Sequence, residues 1–364
     1  MKTKKIIIAV LAASMALSAF SCGDSENKSE SESSSSSEET TTAAETTETT
    51  EAAETTTEAS SEDSTDEENP LGSTVDINDF IETDSVTPPL WKVTDNETGK
   101  TMYLLGTIHM LPVGVEYPEN LLDIYKDCDA IAVEYDTVAL ANDANQLMEF
   151  SQGFLYNDGT KVSDHVSEET YNKAKDYFTS IGSYTEMLDQ YTASYWMTLL
   201  DSFMLLRLEN IEQTGTDAFF ISKAMEDEKE IINIEELSDQ INALNAYSDG
   251  FADYELGEYI DNIDDVEGYA ESYSELYNAW AKGEEIELDA EEEIDELPED
   301  LTDDYAKYKE IIYTNRNKKM ADRAAEIIKG DKTVLFMVGA GHYSDEDGVD
   351  NLLEGMGFTV EKIA

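Results

Sequence analysis

The chain has 364 residues, with 23 Lys or Arg against 82 Asp or Glu, a formal charge of -59. That length suits one large domain with accessory segments. A field of that sign repels phosphate backbones and anionic surfaces, which argues against nucleic acid as a partner and against membrane contact by the body of the protein.

In chain order, residues 1–21 read as an export signal: Lys2, Lys4 and Lys5 precede an apolar run from Ile6 to Leu17. That run is too short to span a bilayer comfortably and suits the core of a signal peptide. Ala19-Phe20-Ser21-Cys22-Gly23 resembles a bacterial lipoprotein box, although Leu is usual at Ala19 and a small residue at Phe20. The resemblance implies lipidation at Cys22 and anchoring to the outer face of the bacterial cytoplasmic membrane through that lipid alone; ordinary secretion is the alternative. Residues 22–87 form the anchor and a stalk. Asp24 to about Pro70 is Ser, Thr, Glu and Ala, with too little apolar surface to offset the entropy of ordering. Cys128 is the one other cysteine and reads as a small core residue, so no intramolecular disulfide is expected.

The folded domain is expected over residues 88–364. Leu90 to Val93 and Met102 to Leu105 flank Asp95 to Gly99 as a hairpin. A helix follows Pro118, and Ala130 to Val133 is a buried strand ending at Glu134. Between Thr137 and Gln213 the pattern is helical, with the stripe Tyr195, Trp196, Met197, Leu199 and Leu200 expected in the core. Gly215 breaks it, a helix covers Asp217 to Glu226, and Glu230 to Ile234 is a strand. Residues 251–304 are acidic and Tyr-rich and are expected as surface helices, an insertion over one face. A helix from Tyr305 to Lys329, a strand from Thr333 to Val338, a helix from Val349 to Gly355 and a strand from Phe358 to Ile363 complete the chain. Apolar strands alternating with helices predict an α/β (α+β) fold, a mixed sheet flanked by helices with a largely helical middle.

Two of the three histidines share one setting. Gly106-Thr107-Ile108-His109 and Gly339-Ala340-Gly341-His342 each follow an apolar strand, at the end where α/β sheets bind ligands. Glu134 ends a third strand in the same way. Two imidazoles and a carboxylate match many catalytic zinc sites and also suit iron or manganese. A divalent metal there would make water a nucleophile near neutral pH. His165 lacks this setting and reads as a surface or helix-start residue. No Gly-x-Ser-x-Gly elbow, phosphate loop or dinucleotide fingerprint occurs.

These paired motifs, with Glu134 between them and Arg316-Asn317-x-x-Met320 before the second, resemble the TraB/GumN family. Leu90-Trp91, Gly215-x-Asp217 and Glu235 with Gln240 extend the resemblance from Leu90 to the C-terminus. The family's animal members, the Tiki proteins, are membrane-tethered metalloproteases that use manganese or cobalt. The resemblance implies an erythromycin-esterase/ChaN-like fold, a peptide or protein substrate, and His109, Glu134 and His342 at the active site with Arg316 facing it. Arg316 would hold a substrate carboxylate or an oxyanion, and Asn317 and Gln240 would support the ligands. Tyr343 could donate a proton, although a packed loop tyrosine is the plainer reading. Whether Glu134 binds metal or acts as general base stays open. The chain departs from the family pattern at Asp345, where Gly is common, and at Tyr195-Trp196, where Pro-Trp is usual. Two other functions remain open: a peptide- or haem-binding lipoprotein without turnover, and a metal-independent esterase using the histidines as acid and base. Oligomeric state is not legible.

Overall fold

A computed structural model describes residues 71–364 apart from residues 84, 213, 285, 287–296 and 345. The export signal, Cys22, most of the stalk, Asp345 and the centre of the acidic run lie outside the described residues.

The hairpin forms as expected, with β1 at Leu90–Thr94 and β2 at Thr101–Thr107. Asp95 closes its turn by accepting hydrogen bonds from the Glu97 amide and the Thr98 hydroxyl, and Gly99 supplies a φ of +74°. Helix α1 (Glu119–Asp127) starts after Pro118, and β3 (Ala130–Val133) is wholly buried. A helical stretch follows: α2 (Thr137–Asn142), α3 (Ala144–Gln152), α4 (Glu168–Ser180) and α5 (Ala193–Leu205). Then come α6 (Thr216–Glu226), β4 (Glu230–Asn233), α7 (Leu237–Leu244), α8 (Asp249–Asp261) and α9 (Val266–Ala281). Helix α10 (Thr302–Lys309) runs through a π-turn at Glu310–Thr314 into α11 (Asn315–Ile327). The chain closes with β5 (Val334–Gly339), α12 (Val349–Gly355) and β6 (Thr359–Lys362).

These six strands make one mixed sheet in the order β6-β1-β2-β5-β3-β4, beside two short two-stranded sheets. The first two pairings are antiparallel, and β2, β5, β3 and β4 run parallel. Their continuous apolar sequences follow from burial on both faces. On one side Leu104, Ala132 and Phe336 pack against Met320, Ala321 and Ala324 of α11 and Leu353 of α12. On the other, Leu105, Ile131 and Met337 pack against Leu121 and Tyr125 of α1 and Phe220 of α6.

The helical middle has its own core. The stripe on α5 is buried there, Trp196 completely. The segment expected as surface helices differs. In α9, Tyr269, Tyr273, Tyr277 and Trp280 are buried, spaced so that they share one helix face. Trp280 Nε1 donates to Gly106 O (2.9 Å) and the Tyr273 hydroxyl to Met110 O (2.9 Å), which ties α9 to the His109 loop. Acidic residues occupy the outer face, so overall charge concealed an inner aromatic one. Also in this core, Asp201 of α5 is fully buried and accepts hydrogen bonds from the hydroxyls of Tyr259 (2.7 Å) and Tyr269 (2.9 Å). Its Oδ2 has no partner among the described residues. Among those residues no helix is long and apolar enough to cross a membrane.

Candidate functional site

Four parallel strands end side by side, and each delivers one titratable residue just past its carboxyl end. In sheet order these are His109 after β2, His342 after β5, Glu134 after β3 and Glu235 after β4. The sheet edge therefore fixes the spacing of the group, whatever the long loops between the strands do.

Glu134 sits at the centre, 6 % exposed. Its Oε1 accepts the Gly339 amide (2.7 Å), and its Oε2 accepts Arg316 Nη2 (2.6 Å) and Gln240 Nε2 (3.4 Å). Burial alone would raise its pKa, but Arg316 and then the two histidines outweigh that and hold it at about 2.

Arg316 extends from α11 into the same space and grips a second carboxylate. Its Nε donates to Glu235 Oε1 (2.8 Å) and its Nη2 to Glu235 Oε2 (2.7 Å), while Nη1 donates to Ile312 O (3.3 Å). The sequence reading gave Arg316 to a substrate carboxylate or an oxyanion. Here its guanidinium is instead engaged by two protein carboxylates. Burial opposes its charge, but the two carboxylates raise its pKa further. Gln240 Nε2 also donates to Glu235 Oε2 (2.6 Å) and completes the lattice. Burial raises the pKa of Glu235, with Arg316 opposing and Glu134 adding to the rise.

The two histidines are held differently. His342 Nδ1 lies 2.5 Å from Asn317 Oδ1, and Asn317 Nδ2 donates to Asp347 O (2.9 Å). That orientation of the amide makes Nδ1 of His342 the donor. The neutral ring therefore carries its lone pair on Nε2, which lies 3.7 Å from Glu134 Oε1. Burial, with Arg316 adding to it, lowers the pKa of His342 to about 3.

Nδ1 of His109 faces Asp217 Oδ2 at 3.0 Å, from the start of α6. Burial disfavours the charged ring, but Asp217 and then Glu134 outweigh it and raise the pKa. A Cβ on Gly215 would collide with the backbone of His109, so the α6 start can approach this loop only with glycine there. The Thr216 amide donates to Ile108 O (2.9 Å) across the same contact.

Arg316, Asn317 and Gln240 thus stand with His109, Glu134 and His342. Tyr343 does not: it turns into the layer beneath α12 and stacks on Trp91, ring centres 4.6 Å apart. The proton-donor role considered for it is withdrawn, since it packs in the core and does not line the cavity. His165 is elsewhere, stacked on Tyr156 and hydrogen-bonded with Thr160 and Asp249. Sequence reasoning assigned no role to Asp217 or Glu235. A signal existed for the second: Ile232-Asn233-Ile234-Glu235 repeats the strand-then-glutamate pattern of Glu134.

His109, Glu134, Gln240, Arg316 and His342 line one end of a cavity of about 140 Å³ that continues between α5, α7, α9 and the α10–α11 helix. The family model for TraB/PrgY/gumN matches residues 89–362, which takes in every residue of this site. The chain belongs to the TraB/PrgY/gumN family. Comparison with curated proteins and with solved structures finds no match. The family span starts one residue before β1 and ends with the last residue of β6, so it covers the whole sheet and the helices around it.

Proposed function

We propose that the chain is an exported, lipid-tethered hydrolase of peptides or proteins, in which His109, Glu134 and His342 hold a divalent metal. The observation that carries this reading is the meeting of His342 and Glu134. A lone pair on Nε2 and a carboxylate oxygen face each other at 3.7 Å, an arrangement that repels unless something positive lies between them. The local charge points the same way, because Glu134 and Glu235 share the one guanidinium of Arg316. Asp217 and Asn317 orient the two imidazoles from behind, as oxygen partners do for metal-ligating histidines. The donor set suits zinc, manganese or cobalt, and the family resemblance favours the last two.

A divalent ion at this point supplies the Lewis acidity that makes water nucleophilic. Glu134 serves as a fixed anion, since both its oxygens already accept hydrogen bonds. Arg316 positions that carboxylate, and the largely apolar wall of the cavity limits water around the reacting bond. In the reaction the oxygen of water bonds to the carbonyl carbon, the C–N bond breaks, and one water proton leaves with the amine. The fold assigned on this reading is the erythromycin-esterase/ChaN-like one, and Cys22 with the stalk would place the domain outside the cell membrane.

One observation favours a second reading, metal-independent ester hydrolysis. Among the described residues no three His, Cys, Asp or Glu stand together as a ready metal cage. Asp217 also orients His109 as a base would need. Haem capture loses support, because the cavity is smaller than the roughly 300 Å³ at which ordinary small-molecule pockets begin.

Metal analysis of protein purified without chelator separates the two. Stoichiometric manganese, cobalt or zinc, lost in the His109→Ala/His342→Ala double variant, is expected. Metal-free protein that hydrolyses esters at full rate would establish the second reading.

A further inference from the structure

The cavity has two unlike ends. His109, Glu134, Arg316 and His342 line one; Met197, Leu244, Leu276, Ile312 and Tyr313 stand in the wall beyond. The hydroxyls of that wall are engaged within the protein. Thr198 donates to Ser194 O (2.9 Å), Ser194 to Asn245 Oδ1 (2.8 Å), and the hydroxyls of Tyr247 and Tyr308 pair at 3.0 Å. What the wall offers a ligand is therefore chiefly apolar surface.

A hydroxyl is also left over at the reactive end. Thr107 lines the cavity, is 1 % exposed, and its Oγ1 has no hydrogen-bond partner among the described residues. Buried hydroxyls are rarely left unpaired, so an unpaired one on a cavity wall marks a place that a ligand or water completes. The size narrows the ligand. At about 140 Å³ the space is close to that of the engineered cavity, roughly 150 Å³, that accepts benzene.

We propose that this cavity is a specificity pocket for one leucine- or phenylalanine-sized side chain of a peptide, adjoining the bond to be cut, with Thr107 donating to a main-chain oxygen of that peptide. The cutting rests on the hydrolase reading; the binding does not. A bulky apolar group fills the wall between α5, α7 and α9 and brings its own carbonyl to the end of the sheet where the histidines stand. A glycine in the same place leaves the wall uncovered.

Calorimetric titration with N-acetyl-leucinamide, N-acetyl-phenylalaninamide and N-acetyl-glycinamide tests the pocket without turnover. The leucine and phenylalanine amides are expected to bind at least about ten-fold more tightly than the glycine amide. Equal affinities overturn the proposal. Ala243→Phe fills the cavity and should abolish that preference. Leu276→Ala enlarges it and should favour the phenylalanine amide over the leucine amide; the second variant decides the matter if the first does not fold. Thr107→Val should weaken all three amides alike. A peptide series varied only at this residue then gives kcat/KM. Selective binding without cleavage supports the pocket and removes the hydrolase reading, whereas cleavage indifferent to side-chain size overturns the pocket alone.

Discussion

Among the buried carboxylates of the described residues, one at the sheet edge and one in the helical core have opposite fates. Glu134, at the sheet edge, faces a guanidinium, two imidazoles and a backbone amide, and its pKa is held at about 2. Asp201, in the helical core, meets only two phenol hydroxyls, and burial pushes its pKa up to about 6 despite them. Burial depth is similar, so depth does not decide ionisation. A counter-charge offsets the loss of hydration, and neutral donors do so only in part. The sheet half is built to keep charge, while the helical half merely tolerates an acid.

The largest expected effect comes from removing the counter-charge. Arg316→Met leaves Glu134 and Glu235 facing each other, and should cost about 3–5 kcal/mol in chemical denaturation. A loss below about 1 kcal/mol would show that water reaches the pair and that the contrast with Asp201 is false.

Next comes the pH dependence of the helical half. The folded pKa of Asp201 lies above its unfolded value of 3.8, so the folded protein keeps a proton that the unfolded chain releases. Stability should therefore fall as pH rises from about 4 to about 6, by about 3 kcal/mol, and then level off. Asp201→Asn should remove that share of the slope, read as the difference between the two proteins at each pH. Glu134 has the opposite sign: its contribution is present above the unfolded 4.5 and is lost only as pH falls towards 2. A difference between the two proteins that does not change with pH would mean that Asp201 is solvated.

The smallest effect concerns Asp217, which orients the His109 ring and has no other ion pair among the described residues. Asp217→Asn should reduce metal affinity or activity by about 10- to 100-fold, with folding little changed. Its pH profile should shift to lower pH, because the charge that raises the His109 pKa is gone.

The sheet half was legible because its strands are uninterrupted apolar runs, each stopped by a glycine or an acid. Hairpin, strand ends and the terminal helix fell within a residue or two of expectation. The candidate trio could be named since rare residues recur at equivalent strand ends. What could not be read were pairings across long separations. Nothing near Arg316 announces that Glu235, 81 residues earlier, will take two of its donors. In 251–304 the abundance of acids masked the Tyr269–Tyr273–Tyr277–Trp280 face, which helical spacing alone could have revealed. Tyr343 was drawn towards the site by its neighbour His342, although adjacent residues diverge and only His342 faces the cavity.

The π-turn at Glu310–Thr314 has a consequence in helical phase. In a regular helix every fourth residue overshoots its predecessor by about 40°, so Tyr308, Ile312 and Arg316 would drift by about 80° around the axis. The wider turn, in which the Asn315 amide reaches back to Glu310 O, takes part of that drift back. Two wall residues and the guanidinium can then face a single cavity. The extra residue is thereby absorbed within one turn. Deleting one residue within it would leave seven ordinary helical steps of about 100° between Tyr308 and Arg316, within about 20° of two full turns, so the surface that selects and the charge that acts would keep a common face.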